Sequence, residues 1–225
     1  MADKITLTLD EIESRSAAAL HGHGAGDWQA ATVARAVVRA EETGNIICGL
    51  YYLESYCKQL ASGRVKGQVD PEVIQRRPGA VTVDAKLGFA QPAFARGLPF
   101  AVAAAKANGI ATLGIAHSHT CTSLGFFTEQ IAATGLIGIG FTNASAIVAG
   151  PGGKLPTIGT NPIAFTLPGE NGPAMHADFS TAAVALGKIT MAKAAGQRIP
   201  EGWALDSAGN PHQELLGDYT IKFTL

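Results

Sequence analysis

The sequence predicts a mixed α/β (α+β) fold, and three observations carry that expectation. Apolar residues recur with helical spacing up to about residue 110, short β-like runs alternate with helix-like ones beyond it, and Gly, Pro, Asn or Asp closes almost every segment. The first helix is read in "TLDEIESRSAAALHGHG", where Thr8 offers a capping hydroxyl, acids fill the first turn and glycines end it. "DWQAATVARAVVRAEETG" is the second, with Asp27 as cap, Gly44 as exit, and Ala30, Val33, Ala34, Val37 and Val38 on one face. "GLYYLESYCKQLASGRV" is a third helix, closed by Ser62 and Gly63. Then come an alternating strand, "GAVTVDAKLG", an alanine-rich helix, "ARGLPFAVAAAKANG", and a strand, "IATLGIAHSH". "LGFFTEQIAATG" reads as a helix and "LIGIGFTNA" as a strand. A Gly/Pro-rich loop, "GPGGKLPTIGTNP", enters a strand over 163–167; "MHADFSTAAVALGKITMAKAAG" is a strand tip running into a helix, and "IPEGWALDSAGNP" is a turn. No repeat or low-complexity segment interrupts this order.

Composition removes several function classes. With 225 residues, 47% of them hydrophobic and 16% charged, the chain can bury a core. A formal net charge of −1 gives no basic surface for nucleic acid and no general attraction to an acidic membrane. The longest apolar text, "AVAAAKANGIATLGIA", is broken by Lys106 and Asn108, so no spanning helix is expected. The three cysteines, Cys48, Cys57 and Cys121, have no C-x-x-C spacing, and the first residues lack a secretory pattern. A reduced, cytoplasmic protein follows as the expectation.

Polar chemistry concentrates in two places. "HSHTCTS", residues 117–123, puts two histidines, two serines, two threonines and a cysteine between a strand and a helix. In an extended segment His117 and His119 share a direction, which suits a metal, yet no carboxylate stands beside them. A nucleophilic site is a second reading, although no G-x-S-x-G elbow is present. A third is a helix capped by Thr122 or Ser123, and a fourth is a turn that presents backbone N–H groups to a phosphate. The other place is "GPGGKLPTIGTNPIAF", where Thr160 and Asn161 stand at a strand entrance and can bind a carboxylate or orient a carbonyl. Neither G-x-G-x-x-G nor a Walker A loop occurs, because Lys154 stands at the wrong position for the latter.

Taken in order, HSH…GFFTEQIAATGLIGIGFTN…GPGGKLPTIGTNPIAFTLP…ADFSTAAVALGKI…RIPEGWALDSAGNP resembles the malate/L-lactate dehydrogenase family of the second type. That family includes ureidoglycolate and sulfolactate dehydrogenases and Δ1-piperideine-2-carboxylate reductases. The likeness runs from about residue 10 to residue 211. It implies an oxidoreductase using NAD or NADP, acting on small 2-hydroxy, 2-oxo or cyclic 2-imino acids, and assembled as a homodimer. It implies a mainly helical substrate and dimerisation subdomain over 1–110, an NAD(P)-binding subdomain over 111–211, and a divergent tail over 212–225. The nucleotide part is expected on a mixed, largely antiparallel sheet, not a Rossmann fold, and no metal is expected.

By the same resemblance His119 is a catalytic proton donor, and Thr120, Cys121, Thr122, Ser123 and Leu124 form the turn facing the cofactor. Asp178, Phe179 and Ser180 correspond to a stretch that contacts the nucleotide. Thr160, Leu186 and Gly187 stand near the substrate, and Lys188 matches the dehydrogenase branch. The family's Ser-His-Gly-x-x-Arg motif falls on Ile47, Cys48, Gly49, Leu50, Tyr51 and Tyr52. Cys48 therefore takes the place of a catalytic histidine, and Tyr52 that of a carboxylate-binding arginine, whose fork a phenol cannot reproduce. Gly49 and Tyr56 keep the pattern. Past Asn210-Pro211 the family continues, whereas here "HQELLGDYTIKFTL" follows. Three functions are thus open: a dehydrogenase of 2-hydroxy acids, a reductase of cyclic imino acids, and a shortened, non-catalytic relic.

Overall fold

The computed structural model describes residues 5–119 and 121–213 together with the backbone of 220–222. Helix α1 (Leu9–Gly22) begins in a reciprocal capping box. The Glu11 amide donates to the Thr8 hydroxyl at 3.2 Å, and the Thr8 amide donates to the Glu11 carboxylate at 2.8 Å. Helix α2 (Asp27–Glu42) departs from expectation at its start: Gly26 is the cap and Asp27 is the first helical residue, 3.0 Å from His21. An acid there still complements the helix dipole. The amide of Leu50, at the head of α3 (Leu50–Ala61), donates to the Glu41 carboxylate of α2 at 2.7 Å. Gly49 leaves room for that carboxylate, since a Cβ would collide with it. Leu20, Val33, Val37, Tyr56, Leu60 and Phe89 form the core between these helices.

Strands β1 (Glu72–Arg77) and β2 (Ala80–Asp84) make an antiparallel hairpin. The sequence reading did not anticipate β1: "EVIQRR" is polar and lies at a sheet edge, so its alternation is weak. Helix α4 (Ala90–Asn108) crosses to β3 (Thr112–Ala116), which pairs in parallel with β2. This helix starts earlier than the alanine-rich text suggested, because Pro92 sits in its first turn, where an amide has no intrahelical partner to lose. The β1–β2–β3 sheet thus runs across residue 110.

After β3 come α5 (Gly125–Ala132), β4 (Gly138–Phe141), β5 (Val148–Ala149), β6 (Pro156–Ile158), β7 (Ile163–Gly169) and β8 (Gly172–Phe179). Then follow α6 (Leu186–Ala194), β9 (Ala204–Leu205), β10 (Pro211–His212) and β11 (Thr220–Lys222). The Gly/Pro-rich loop therefore contains a strand, β6, and the expected turn at 199–211 supplies β9. The order is β4–β7–β8 in one antiparallel sheet and β10–β9–β11–β5–β6 in another, where only β11 and β5 run parallel. Mixed α/β content with mostly antiparallel sheets is what the sequence led us to expect. Among the described residues no helix is long and apolar enough to cross a membrane.

Helix α5 lies close against one face of β4–β7–β8. Gly138 touches it so nearly that a Cβ would stand 2.6 Å from the Thr128 carbonyl oxygen. On the other face the register aligns Ile139 with Phe165, Phe141 with Ile163, and Ile163 with Phe179. Ile139, Phe141, Met175 and Phe179 are exposed there. Because the atom opposing Gly138 is backbone, Gly138→Ala must push β4 off α5. Urea unfolding is expected to show a loss of about 1–3 kcal/mol, the usual cost of overpacking.

Candidate functional site

The polar turn that follows β3 is held by its neighbours rather than by its own sequence. His117 and Thr122 have positive φ (50° and 58°), which non-glycine residues seldom adopt. The shared direction expected for the two histidines is not found, because the left-handed backbone at His117 breaks the strand. The His117 ring lies out in solvent, its Nδ1 3.0 Å from the Asp84 carboxylate. The Lys86 amide, then His117, hold that carboxyl below its ordinary range. His119 turns inward: its amide donates to the Gly88 carbonyl at 2.8 Å, and its ring lies 6.2 Å from those of Tyr56 and Phe89. Burial, and secondarily the charge of Arg64, lower its pKa. His119 Nε2 is closed to solvent and has no hydrogen-bond partner. Thr120 lies outside the described residues.

A ring of hydrogen bonds fixes the middle of the turn. Gln91 Nε2 donates to the Tyr56 hydroxyl at 3.0 Å and to the Cys121 carbonyl at 3.2 Å. Tyr56 in turn donates to Thr122 Oγ1 at 3.2 Å, and Thr122 to the Cys121 carbonyl at 2.7 Å. Tyr56 is fully buried, and burial raises its pKa well above the ordinary phenol value. Gln91 escaped the sequence reading. A glutamine inside "FAQPAFARGL" is a visible signal of a buried polar partner, but nothing local says which partner.

The helix cap comes from a distance. Neither Thr122 nor Ser123 caps α5, whose boundary residue is Leu124. The Gly125 amide donates instead to Asp178 Oδ2 at 2.7 Å, and the Ser123 hydroxyl reaches the same oxygen at 3.1 Å. The first amide of α5 is thus already bonded to a carboxylate, so it is not the vacant phosphate cradle that one reading of the turn required. A few residues on, the Ser180 hydroxyl donates to the Thr160 carbonyl at 3.0 Å, and the Thr181 amide does so at the same distance. Asn161 Oδ1 accepts from the Ala144 amide at 2.9 Å, so its side chain braces the loop. Phe179 belongs to the opposite sheet face from Asp178, as strand alternation demands.

The segment between α2 and α3 closes the site. Burial first, then the Asp178 charge and Cys121, push the Cys48 thiol up to about 11. Cys121 is likewise raised to about 11, chiefly by burial. Both remain thiols at neutral pH, able to donate a weak hydrogen bond but not to act as thiolates. Ile47 packs on Gly187, where a Cβ would collide with its side chain, and Leu186 beside it is exposed. Tyr52 stacks edge-on against Tyr56 at 5.0 Å, as a packing residue at the rim of the helical core. The structure thus brings Cys48 within electrostatic reach of Asp178 and Cys121, joins Thr122 to Tyr56 and Ser123 to Asp178, and bonds Ser180 to Thr160. His119 and Tyr52 pack on Tyr56 in the helical half, and Gly187 meets Ile47. Arg64 was not foreseen as a neighbour of His119. No group of three or more potential metal ligands occurs among the described residues.

Two outcomes follow. Removing the Tyr56 hydroxyl in Tyr56→Phe takes one of two acceptors from Gln91 and a donor from Thr122, and is expected to cost about 1–3 kcal/mol in urea unfolding. For His119, the folded pKa lies below the unfolded value, so the unfolded chain binds more protons as pH falls. The stability contributed by the neutral ring is complete above about pH 6.5 and declines below it. The gap between the wild type and His119→Gln should therefore shift against the wild type between pH 7 and pH 5, as read by denaturation at each pH.

Comparison with known proteins places this arrangement. Residues 7–214 match the family model described as malate/L-lactate dehydrogenase. The (2R)-3-sulfolactate dehydrogenase (NADP(+)) of Chromohalobacter salexigens is 40% identical over 205 residues, which are 91% of this chain and 61% of that protein. A Δ1-pyrroline-2-carboxylate/Δ1-piperideine-2-carboxylate reductase of Pseudomonas aeruginosa is 35% identical, over 92% of this chain and 62% of its own length. The crystal structure of Δ1-piperideine-2-carboxylate reductase from Pseudomonas syringae pvar. tomato superposes with a TM-score of 0.91 at 30% identity, covering 98% of this chain and 67% of that one. The chain therefore spans little more than three fifths of the length of these curated relatives (61% and 62%). Matched over nearly all of its own length, it belongs to the malate/L-lactate dehydrogenase family.

Proposed function

We propose that the chain carries the site of an NAD(P)-dependent oxidoreductase that moves a hydride between nicotinamide and C2 of a small 2-hydroxy or 2-oxo acid. The single observation that carries this reading is His119, whose Nε2 is buried without a partner beside Tyr56 and Phe89. Family membership supports it. The donor and acceptor set suits the nicotinamide–ribose half of the cofactor. Asp178 commits one carboxylate oxygen to Gly125 and Ser123, and its other oxygen can accept from a ribose hydroxyl or a carboxamide N–H. Cys121 to Leu124 would line the same half. When bound, the cofactor supplies the hydride chemistry, which no side chain here can supply.

The chain's own residues then have separable tasks. Held neutral by burial, His119 accepts the hydroxyl proton of a 2-hydroxy acid and returns it in the reverse direction. Cys48, a thiol at neutral pH, can donate a weak hydrogen bond, which suits it to orient a carboxylate or carbonyl oxygen. Thr160, Leu186 and Gly187 bound the substrate side, while Ser180 continues the cofactor side; Phe179, expected there, faces away on the other side of the sheet. Tyr52 in place of the family arginine favours a second substrate class, the less highly charged cyclic 2-imino acids. The nucleotide part is read as non-Rossmann, with the seam after β3, since β3 completes the N-terminal sheet. Assembly as a homodimer and a cytoplasmic location complete the reading. The open apolar face of β4–β7–β8 supports the former, because such a face favours association.

Titration of the purified chain with NADH and with NADPH, followed by calorimetry, tests this directly. Micromolar binding of either is expected, and hydride transfer to 2-oxo or cyclic imino acids should fall by about 10²–10⁴ in His119→Ala. Absence of binding by both nucleotides would overturn the cofactor reading.

A further inference from the structure

The face of β8 that meets α5 carries two side chains, and only one of them, Asp178, belongs to the reading above. The other is His176, two residues earlier on the same strand. Its register partner on β7 is Thr166, just as that of Asp178 is Ala164. Both side chains close on Gly125, the first residue of α5. A Cβ on Gly125 would stand 2.7 Å from His176 Cε1, 2.9 Å from its Nε2 and 3.1 Å from the Asp178 Cβ. A glycine is therefore required there, and the imidazole forms the floor beneath the start of the helix.

The same residue is tied at both ends of its peptide. Its amide donates to Asp178, and its carbonyl accepts from Thr128 Oγ1 at 3.1 Å. Thr128 Oγ1 lies 2.8 Å from Thr166 Oγ1, which lies 2.8 Å from His176 Nδ1. Both threonines are fully buried, so the bond between them is shielded from water, while His176 at the end of the chain is exposed. On its other side, His176 Nε2 lies 3.7 Å from Glu129 of α5. Glu129 is gripped by Arg39 of α2 through two bonds of 2.8 and 2.7 Å, and Arg39 also reaches Glu42 at 2.7 Å. His176 thus stands between the helical core and the residue that Asp178 holds at the candidate site.

We propose that His176 is a positioning residue for that site: through Thr166 and Thr128, and by contact with Gly125, it sets the first turn of α5 and with it the Ser123–Asp178 pair. The proposal rests on the assignment of that pair to the cofactor, and the experiment separates the two. Three variants are compared with the wild type. His176→Ala removes both contact and bond, His176→Asn keeps an N–H able to reach Thr166, and Thr166→Val cuts the chain while leaving the ring.

Amide exchange at Gly125 in the free protein is the first measurement, and NAD(P)H affinity the second. In His176→Ala, exchange at Gly125 is expected to quicken by about five- to tenfold, the worth of one net hydrogen bond, with core amides of α2 unchanged. Affinity should weaken by a similar factor. Asn should restore both, and Thr166→Val should reproduce the exchange effect with the ring still in place. Unchanged exchange at Gly125, equal behaviour of Ala and Asn, or uniform loss of protection across the fold would overturn the proposal. If the wild type binds neither nucleotide, the cofactor reading fails, while the exchange comparison still decides whether His176 positions the turn.

Discussion

The close seating of α5 on the β4–β7–β8 sheet is the constraint on which the rest of the site depends. An eight-residue helix has too little intrinsic stability to hold itself in place, so its position must come from its contacts. Here glycines at 125 and 138 let backbone and side chain approach within distances that no Cβ permits. The gap so closed is dry, and the buried hydroxyls of Thr128 and Thr166 meet each other instead of water. Buried polar groups of this kind stabilise only when every one is satisfied, which is why the pairing of those two residues matters more than either alone. With α5 fixed from below, its first amide can be fixed from the side by Asp178.

The second anchor of the site is Tyr56, which reaches out of the helical core. One buried hydroxyl serves α3, α4 and the polar turn together, since its partners are Gln91 and Thr122. The two anchors have a common effect. They hold residues 121–125 in a conformation that the turn would not choose, with a left-handed Thr122 in its centre. A non-glycine residue in that region costs of order 1–3 kcal/mol, and it persists where its surroundings over-determine it. Left-handed non-glycine residues also stand at Lys86, Leu87 and Asn161, so the polar turn shares this strain with other loops.

What could be read from the sequence divides along a physical line. Helices with regular apolar spacing were legible, and α1 was legible down to its capping threonine, because capping is a contact between residues three apart. The strands lost to the reading were β1, β5, β6, β9, β10 and β11. The first is polar, and the others are too short to show alternation, so only pairing with distant partners defines them. In the site, residue types were visible but bonds were not. Asp178 was legible as a residue of interest through its family context, yet its actual partner, Gly125, lies 53 positions away. Tyr56 and Thr122 are 66 apart. His176 and Arg64 left no local trace at all, since a histidine in a strand and an arginine after a helix are ordinary text.

The same division bears on the proposed exchange of a family histidine and arginine for Cys48 and Tyr52. Both replacements are apolar enough to be buried, and both are buried in part: Tyr52 adds an edge-on ring to Tyr56, and Cys48 lies under the combined influence of burial and Asp178. Tyr52 thereby supports Tyr56, and the 46–49 turn is held by Glu41 on one side and Gly187 on the other. A phenol and a thiol thus brace the segment between α2 and α3 from inside, and it is this bracing, rather than a charge, that the proposed function would draw on.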